Sequence, residues 1–237
     1  MPTAEKKVAV ITGVGPGLGA ALARRFTSEY AIAIIARRAE YLHSLAEEIR
    51  SSGGTVLEIP ADIGKRDQIE AAFKKVRAEL GSPEVLLYNA GGGAWGTITE
   101  VTPEQFEDSW RTNAFGAFVC ARECVPDMLA KGHGVMLFTG ATAGVKAGPK
   151  SISFGPGKFA MRGLAQSLAR DLGPKGIHVA WINVDGSIDI PTRKIPGLKP
   201  EDMLEPAAIA ETYWHVAHQH RSAWTMELEV RPFKEKF

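Results

Sequence analysis

The sequence predicts an α/β domain whose parallel sheet is covered by helices on both faces. Three observations carry this reading. Strand-like runs alternate with helix-like stretches along the whole chain, the strand-like runs are almost continuously apolar, and turn signals fall at the joints. Seven runs, 8–12, 31–36, 55–59, 85–89, 135–139, 177–182 and 226–230, have the length and β-branched content of strands. The stretches 17–28, 39–51, 66–80, 103–130, 157–172 and 206–219 carry apolar residues at three- and four-residue spacing, as helices covering a sheet do. Gly53-Gly54, Gly81-Ser82-Pro83, Gly132-His133-Gly134 and Gly173-Pro174 punctuate them. The expectation is one doubly wound, seven-stranded domain spanning 1–237. Within it, the Pro- and Gly-rich segment 185–205 follows a strand whose C-terminal end should face the ligand crevice, so it is read as a lid over a substrate. A plain solvated connection is the alternative.

Composition narrows the partners. With 45% hydrophobic residues, 23% charged residues and a net charge of +1, the 237-residue chain carries no broad basic field. Nucleic acid and acidic membrane surfaces are therefore excluded as expected partners, while a small anionic ligand is compatible. Residues 1–7 contain no apolar core of a leader, and no stretch approaches the roughly 20 apolar residues that span a bilayer. A cytoplasmic location is expected. Cys120 and Cys124 lie four apart in a helical pattern, which suits two buried thiols on one helix face. His215, His218 and His220 cluster late in the last helix. Only the first two share a face, so solvated helix-end histidines are expected rather than a metal site.

The most informative motif follows the first strand: Thr12-Gly13-Val14-Gly15-Pro16-Gly17-Leu18-Gly19 runs directly into a helix-like stretch. Glycines let a backbone turn tightly and approach a pyrophosphate, and a helix N-terminus presents free N–H groups and the positive end of its dipole. A plain strand-to-helix turn does not need four glycines in seven residues.

This Thr-Gly-x-x-x-Gly-x-Gly spacing resembles the short-chain dehydrogenase/reductase family, and further motifs in the same order support the resemblance. Asp62, with Ile63 beside it, matches the family's adenine-contacting acid. Asn89-Ala90-Gly91 matches Asn-Asn-Ala-Gly with Tyr88 in place of the first Asn. Asn113 matches the helix asparagine, Lys158 the lysine of Tyr-x-x-x-Lys, and Gly186 and Ile188 belong to the segment whose backbone contacts the nicotinamide carboxamide. The resemblance implies a Rossmann-like fold, a dinucleotide held by Gly13, Gly15, Pro16, Gly17, Leu18, Gly19 and the residues just named, and a homodimer or homotetramer packed through helices 103–130 and 157–172. About 20 residues past the glycine loop, an NAD-binding protein places a carboxylate on the ribose. Here Ile35-Ala36-Arg37-Arg38 offers two guanidinium groups instead, so NADP(H) is the expected cofactor.

The resemblance also exposes a loss. In the family, Ser, Tyr and Lys assist hydride transfer, with Asn holding a water in the proton relay. Counting back four from Lys158 gives Phe154, and the usual serine position falls on Ala141. General acid-base help is worth about 10²–10⁴-fold and an oxyanion donor about 10²–10³-fold, so ordinary carbonyl chemistry should be severely weakened. Thr142, Ser151 and Ser153 are the adjacent hydroxyls that could substitute; Asn113, Lys158 and Thr142 are taken as the catalytic set. Gly155-Pro156-Gly157 suggests a helix starting near Pro156 with Lys158 at its extreme start. Asp185 stands where the family has proline, and Ile190 where it has threonine. The leading expectation is an NADP(H)-dependent oxidoreductase with a nonstandard site for a small carbonyl, alcohol or imine. The alternative is a noncatalytic NADPH-binding or regulatory protein.

Overall fold

The computed structural model describes residues 6–235. Seven strands, β1 (Lys7–Thr12), β2 (Tyr30–Ala36), β3 (Val56–Pro60), β4 (Pro83–Tyr88), β5 (Gly134–Thr139), β6 (Ile177–Val184) and β7 (Glu227–Val230), pair in the order β3-β2-β1-β4-β5-β6-β7. Every pairing is parallel. The period-two geometry of a strand sends alternate side chains to opposite faces, which explains why both must be apolar. Val8 and Val10 of β1 enter one core, and Ala9 and Ile11 enter the other. The first core is closed by α3 (Arg66–Glu79), α5 (Gly116–Lys131) and α6 (Phe154–Leu172), through Phe73, Cys120 and Met161 among others. The second is closed by α1 (Leu18–Phe26), α2 (Ala39–Ser51) and α7 (Pro206–Ala217), through Leu22, Leu45 and Tyr213. Cys120 and Cys124 are buried and unbridged.

Chain order reverses between β1 and β4, which are neighbours although two strands separate them in sequence. Such a switch point leaves a crevice beyond the C-terminal ends of the strands.

Two expected helices differ from the sequence reading. The stretch 103–130 is not one helix. It is α4 (Pro103–Trp110), opened by a Thr102–Gln105 capping box, then a π-helical turn Arg111–Phe115, then α5. The turn is tied to another element, for the hydroxyl of buried Tyr88 donates to the Thr112 carbonyl inside it. The second helix, α6, begins at Phe154 rather than near Pro156. Pro156 is its third residue, where a missing N–H costs nothing because first-turn N–H groups have no intrahelical acceptor. Lys158 is consequently a buried residue of the second turn and not a frayed end.

Candidate functional site

A cleft of about 1010 Å³ opens at the switch point. Its floor is the turn between β1 and α1. Gly13 has φ +69°, and a Cβ there would stand 2.4 Å from the Ala90 Cα, so the turn and the end of β4 touch backbone to backbone. Asn89 fastens the contact: its Nδ2 donates to the Gly13 carbonyl at 3.1 Å, and its Oδ1 accepts from the Thr139 hydroxyl at 3.3 Å. The Tyr213 hydroxyl, fully buried in α7, donates in turn to Thr139 Oγ1 at 2.8 Å. Burial raises the Tyr213 pKa. A hydrogen-bonded chain from α7 through β5 and β4 thus sets the height of the glycine turn. Helix α1 has Gly17 as its N-cap, with no side-chain cap and no acid in its first turn, so its positive end is left to the cleft. Arg38 reaches over this turn, its Nη2 lying 3.5 Å from where a Gly15 Cβ would be. Neither Arg37 nor Arg38 forms an ion pair among the described residues, and both are exposed.

The inner wall is built by the π-turn and α6. Asn113 is fully buried, and its Nδ2 donates to the carbonyls of Gly92 (2.6 Å) and Ser109 (2.8 Å). Its Oδ1 has no partner among the described residues and lies 3.3 Å from the Cβ position of Gly91. The Lys158 Nζ lies 3.1 Å from that same position and donates to the Thr139 carbonyl at 2.8 Å. Burial pulls the Lys158 pKa from 10.5 down to about 7. Phe154 faces the cleft one helical turn before Lys158, with the lysine Nζ 5.4 Å from its ring centroid and Trp95 packed at 5.6 Å. Thr142 and Ala141 line the cleft from the short helical turn after β5, and the Thr142 hydroxyl donates to Asp185 Oδ1 at 2.5 Å.

The model of the short chain dehydrogenase family matches residues 7–192. The chain belongs to the short-chain dehydrogenase family. It is 32% identical over 175 residues to the versicolorin reductase stcU of Emericella nidulans, a match spanning 73% of this chain and 66% of that protein. The crystal structure of a short-chain dehydrogenase from Rhodopseudomonas palustris superposes with a TM-score of 0.83 at 34% identity, covering 98% of this chain and 100% of the other. A metagenomic short-chain oxidoreductase in complex with NADP gives a TM-score of 0.85 at 26% identity, covering 98% and 100%.

Of the residues that short-chain dehydrogenase motifs single out in this sequence, the cleft gathers Gly13, Gly15, Pro16, Gly17, Leu18, Gly19, Asn89, Gly91, Thr142, Lys158, Gly186 and Ile188. Arg37 and Arg38 follow the end of β2 and do not line the cleft, though Arg38 reaches over its glycine turn. Ala90 lies beneath the Gly13 turn, and Asn113 behind the inner wall. Asp62 closes a tight turn by accepting from the Gly64 N–H at 2.9 Å, and neighbouring Ile63 is buried under Gly116. Ser151 and Ser153 are tied to main chain, donating to the carbonyls of Gly148 and Ala94, each at 2.8 Å. Several cleft residues escaped the motif reading, among them Trp95, Lys146, Lys150, Arg193 and Glu235. Trp95 had one signal, an aromatic set in the run Gly91-Gly92-Gly93-Ala94-Trp95-Gly96 directly after a strand. Glu235 had none, because the fold of the C-terminal tail over the cleft is a tertiary event: Pro232 packs against Gly186, where φ is +146° and a Cβ would stand 2.8 Å from the proline Cδ.

His218 sits in an aromatic cluster with Tyr30 and Trp214, its ring 3.9 Å from that of Trp214. No group of three or more His, Cys, Asp or Glu able to hold a metal comes together among the described residues, and no helix there is long and apolar enough to cross a membrane.

Proposed function

We propose that the protein is an NADP(H)-dependent oxidoreductase of the short-chain dehydrogenase type, with a nonstandard site, acting on a small organic carbonyl, alcohol or imine. The observation that carries this reading is a glycine-rich turn and an uncapped helix end facing the cleft, with Arg38, which forms no ion pair among the described residues, reaching over that turn and Arg37 next to it in sequence. This donor set fits a phosphorylated dinucleotide. The turn Gly13–Gly19 would hold its pyrophosphate, Arg37 and Arg38 its 2′-phosphate, and Asp62 with Ile63 its adenine. Asn89, Ala90, Gly91 and Lys158 would hold the nicotinamide ribose, with Gly186 and Ile188 at the carboxamide. Bound there, the cofactor supplies or takes up hydride at a substrate carbon.

The chain's own residues divide the remaining work. Lys158, positioned by its bond to Thr139, carries a proton that it exchanges near neutral pH. Asn113 Oδ1, buried and without a partner, is an acceptor able to fix a water beside Lys158. Segment 185–205 acts as the lid: Ile190 lies 3.0 Å from the Cβ position of Gly17, so it rests on the phosphate turn and excludes water from it. Phe154 and Ala141 supply no proton. Their presence favours a second reading, a noncatalytic NADPH-binding protein. Oligomerisation through α4, α5 and α6 belongs to the same proposal and is supported by the exposure of Phe106, Trp110, Phe118 and Phe159 on those helices.

Turnover of a panel of ketones, alcohols and imines with NADP(H) separates the two, measured on the protein and on Phe154→Tyr. The enzyme reading expects turnover of at least one class, and a gain of about 10²-fold for ketones when tyrosine restores a proton donor. Tight NADPH binding with no turnover by either form supports the noncatalytic reading.

A further inference from the structure

The hydroxyl of Thr142 has one proton, and the structure shows where it goes. Thr142 Oγ1 donates to Asp185 Oδ1, while Asp185 Oδ2 pairs with the Arg231 guanidinium at 2.8 Å. Arg231 also pairs with Glu229, whose other oxygen accepts from Asn183 Nδ2 at 2.7 Å. The Asp185 side chain is 4% exposed, so its charge is fixed in place, and its backbone N–H is bonded to the Val230 carbonyl at 2.8 Å. A buried carboxylate accepts hydrogen bonds and does not return them. With its proton so committed, Thr142 Oγ1 can offer the cleft only lone pairs.

The other groups around this point agree. Phe154 and Ala141 have no proton to give, and Ser151 and Ser153 spend theirs on main-chain carbonyls. A carbonyl oxygen placed against Thr142 would meet an acceptor and gain nothing. A substrate carrying N–H or O–H at the reacting centre would meet a polarised acceptor backed by a carboxylate. Hydride addition to a protonated C=N also leaves no oxyanion to protonate, so the missing acid is no handicap there. The cations at the mouth, Lys146, Lys150 and Arg193, are exposed, where salt screens them over about 8–10 Å, and they do not oppose a short-range N–H contact.

We propose that Thr142, its proton held by Asp185, is the substrate-orienting acceptor of the cleft. It selects substrates that present an N–H or O–H donor at the reacting centre, protonated cyclic imines and alcohols, over free ketones and aldehydes. This rests on the oxidoreductase reading above, and the test keeps the two apart. NADP⁺ and NADPH binding is measured first by calorimetry; failure there sinks the oxidoreductase reading and with it the substrate site.

Calorimetric titrations then use three probes of one bicyclic shape in complexes that cannot react. Protonated 3,4-dihydroisoquinoline and 1-tetralone are titrated into the NADP⁺ complex, and 1-tetralol into the NADPH complex. The two donor probes are expected to bind about tenfold more tightly than the ketone. Thr142→Val should erase that tenfold ratio by weakening the two donor probes, and Thr142→Ser should keep the ratio. A ketone that binds as tightly as the donor probes, or a ratio unmoved by Thr142→Val, overturns the assignment of Thr142 while leaving the cofactor site standing.

Discussion

Lys158 offers a quantitative check on the buried inner wall. The residue is 3% exposed, and desolvation brings its pKa from 10.5 to about 7. Between those values the unfolded chain binds a proton that the folded chain does not, so folding stability attributable to this residue rises with pH across that window and levels off above it. A shift of this size corresponds to a ceiling of about 5 kcal/mol. The hydrogen bond from Nζ to the Thr139 carbonyl favours the charged form and trims this, leaving roughly 2–4 kcal/mol. Lys158→Met removes the titrating group and keeps the apolar stem. Urea unfolding of both proteins at pH 7, 8.5 and 10 isolates the effect, because every other titration cancels in the difference. The wild type should gain about 2 kcal/mol or more relative to the variant between pH 7 and pH 10. Parallel stability curves, or a wild type that loses ground with rising pH, would refute the claim that Lys158 is desolvated by its surroundings.

Two other substitutions probe the support of the glycine turn. Gly13→Ala forces an L side chain into φ +69° and drives its Cβ to 2.4 Å from Ala90, so denaturant unfolding should show a loss of about 2 kcal/mol or more. A loss below half that would mean the turn and the end of β4 are not in backbone contact. Tyr213→Phe deletes the donor to Thr139 inside the core and should cost about 1–2 kcal/mol, read from the denaturation midpoint at constant m-value. No change in that midpoint would contradict the bonded chain from α7 to Asn89.

The seven parallel strands and the helices on both faces were legible because local pattern and global fold agree: each near-continuous apolar run is a strand buried on both faces, and each periodic stretch covers one face. The glycine turn was legible for the same reason, its strand and helix flanking it in sequence. What sequence could not show depends on contacts made across the fold. Tyr88 is a poor match to the family motif, yet its hydroxyl reaches the next element and bonds the Thr112 carbonyl in the π-turn that carries Asn113. Pro156 looked like a helix boundary, but three residues into α6 it is harmless, so Lys158 is held by a rigid helix. Asp185 in the sequence is only a carboxylate standing where the family has proline. Its burial follows from Arg231, 46 positions away, which only the addition of β7 to the sheet brings alongside.

The glycine turn with its paired arginines is tested most directly by titrating NADPH and NADH against the same protein, following nicotinamide fluorescence, with Arg37→Ala/Arg38→Ala as the comparison. The proposal predicts that NADPH binds at least about tenfold more tightly than NADH, since a 2′-phosphate gains charge-assisted bonds that a 2′-hydroxyl cannot, and that the double variant erases that preference. Equal affinity for the two nucleotides in the wild type, or binding of neither, would contradict it.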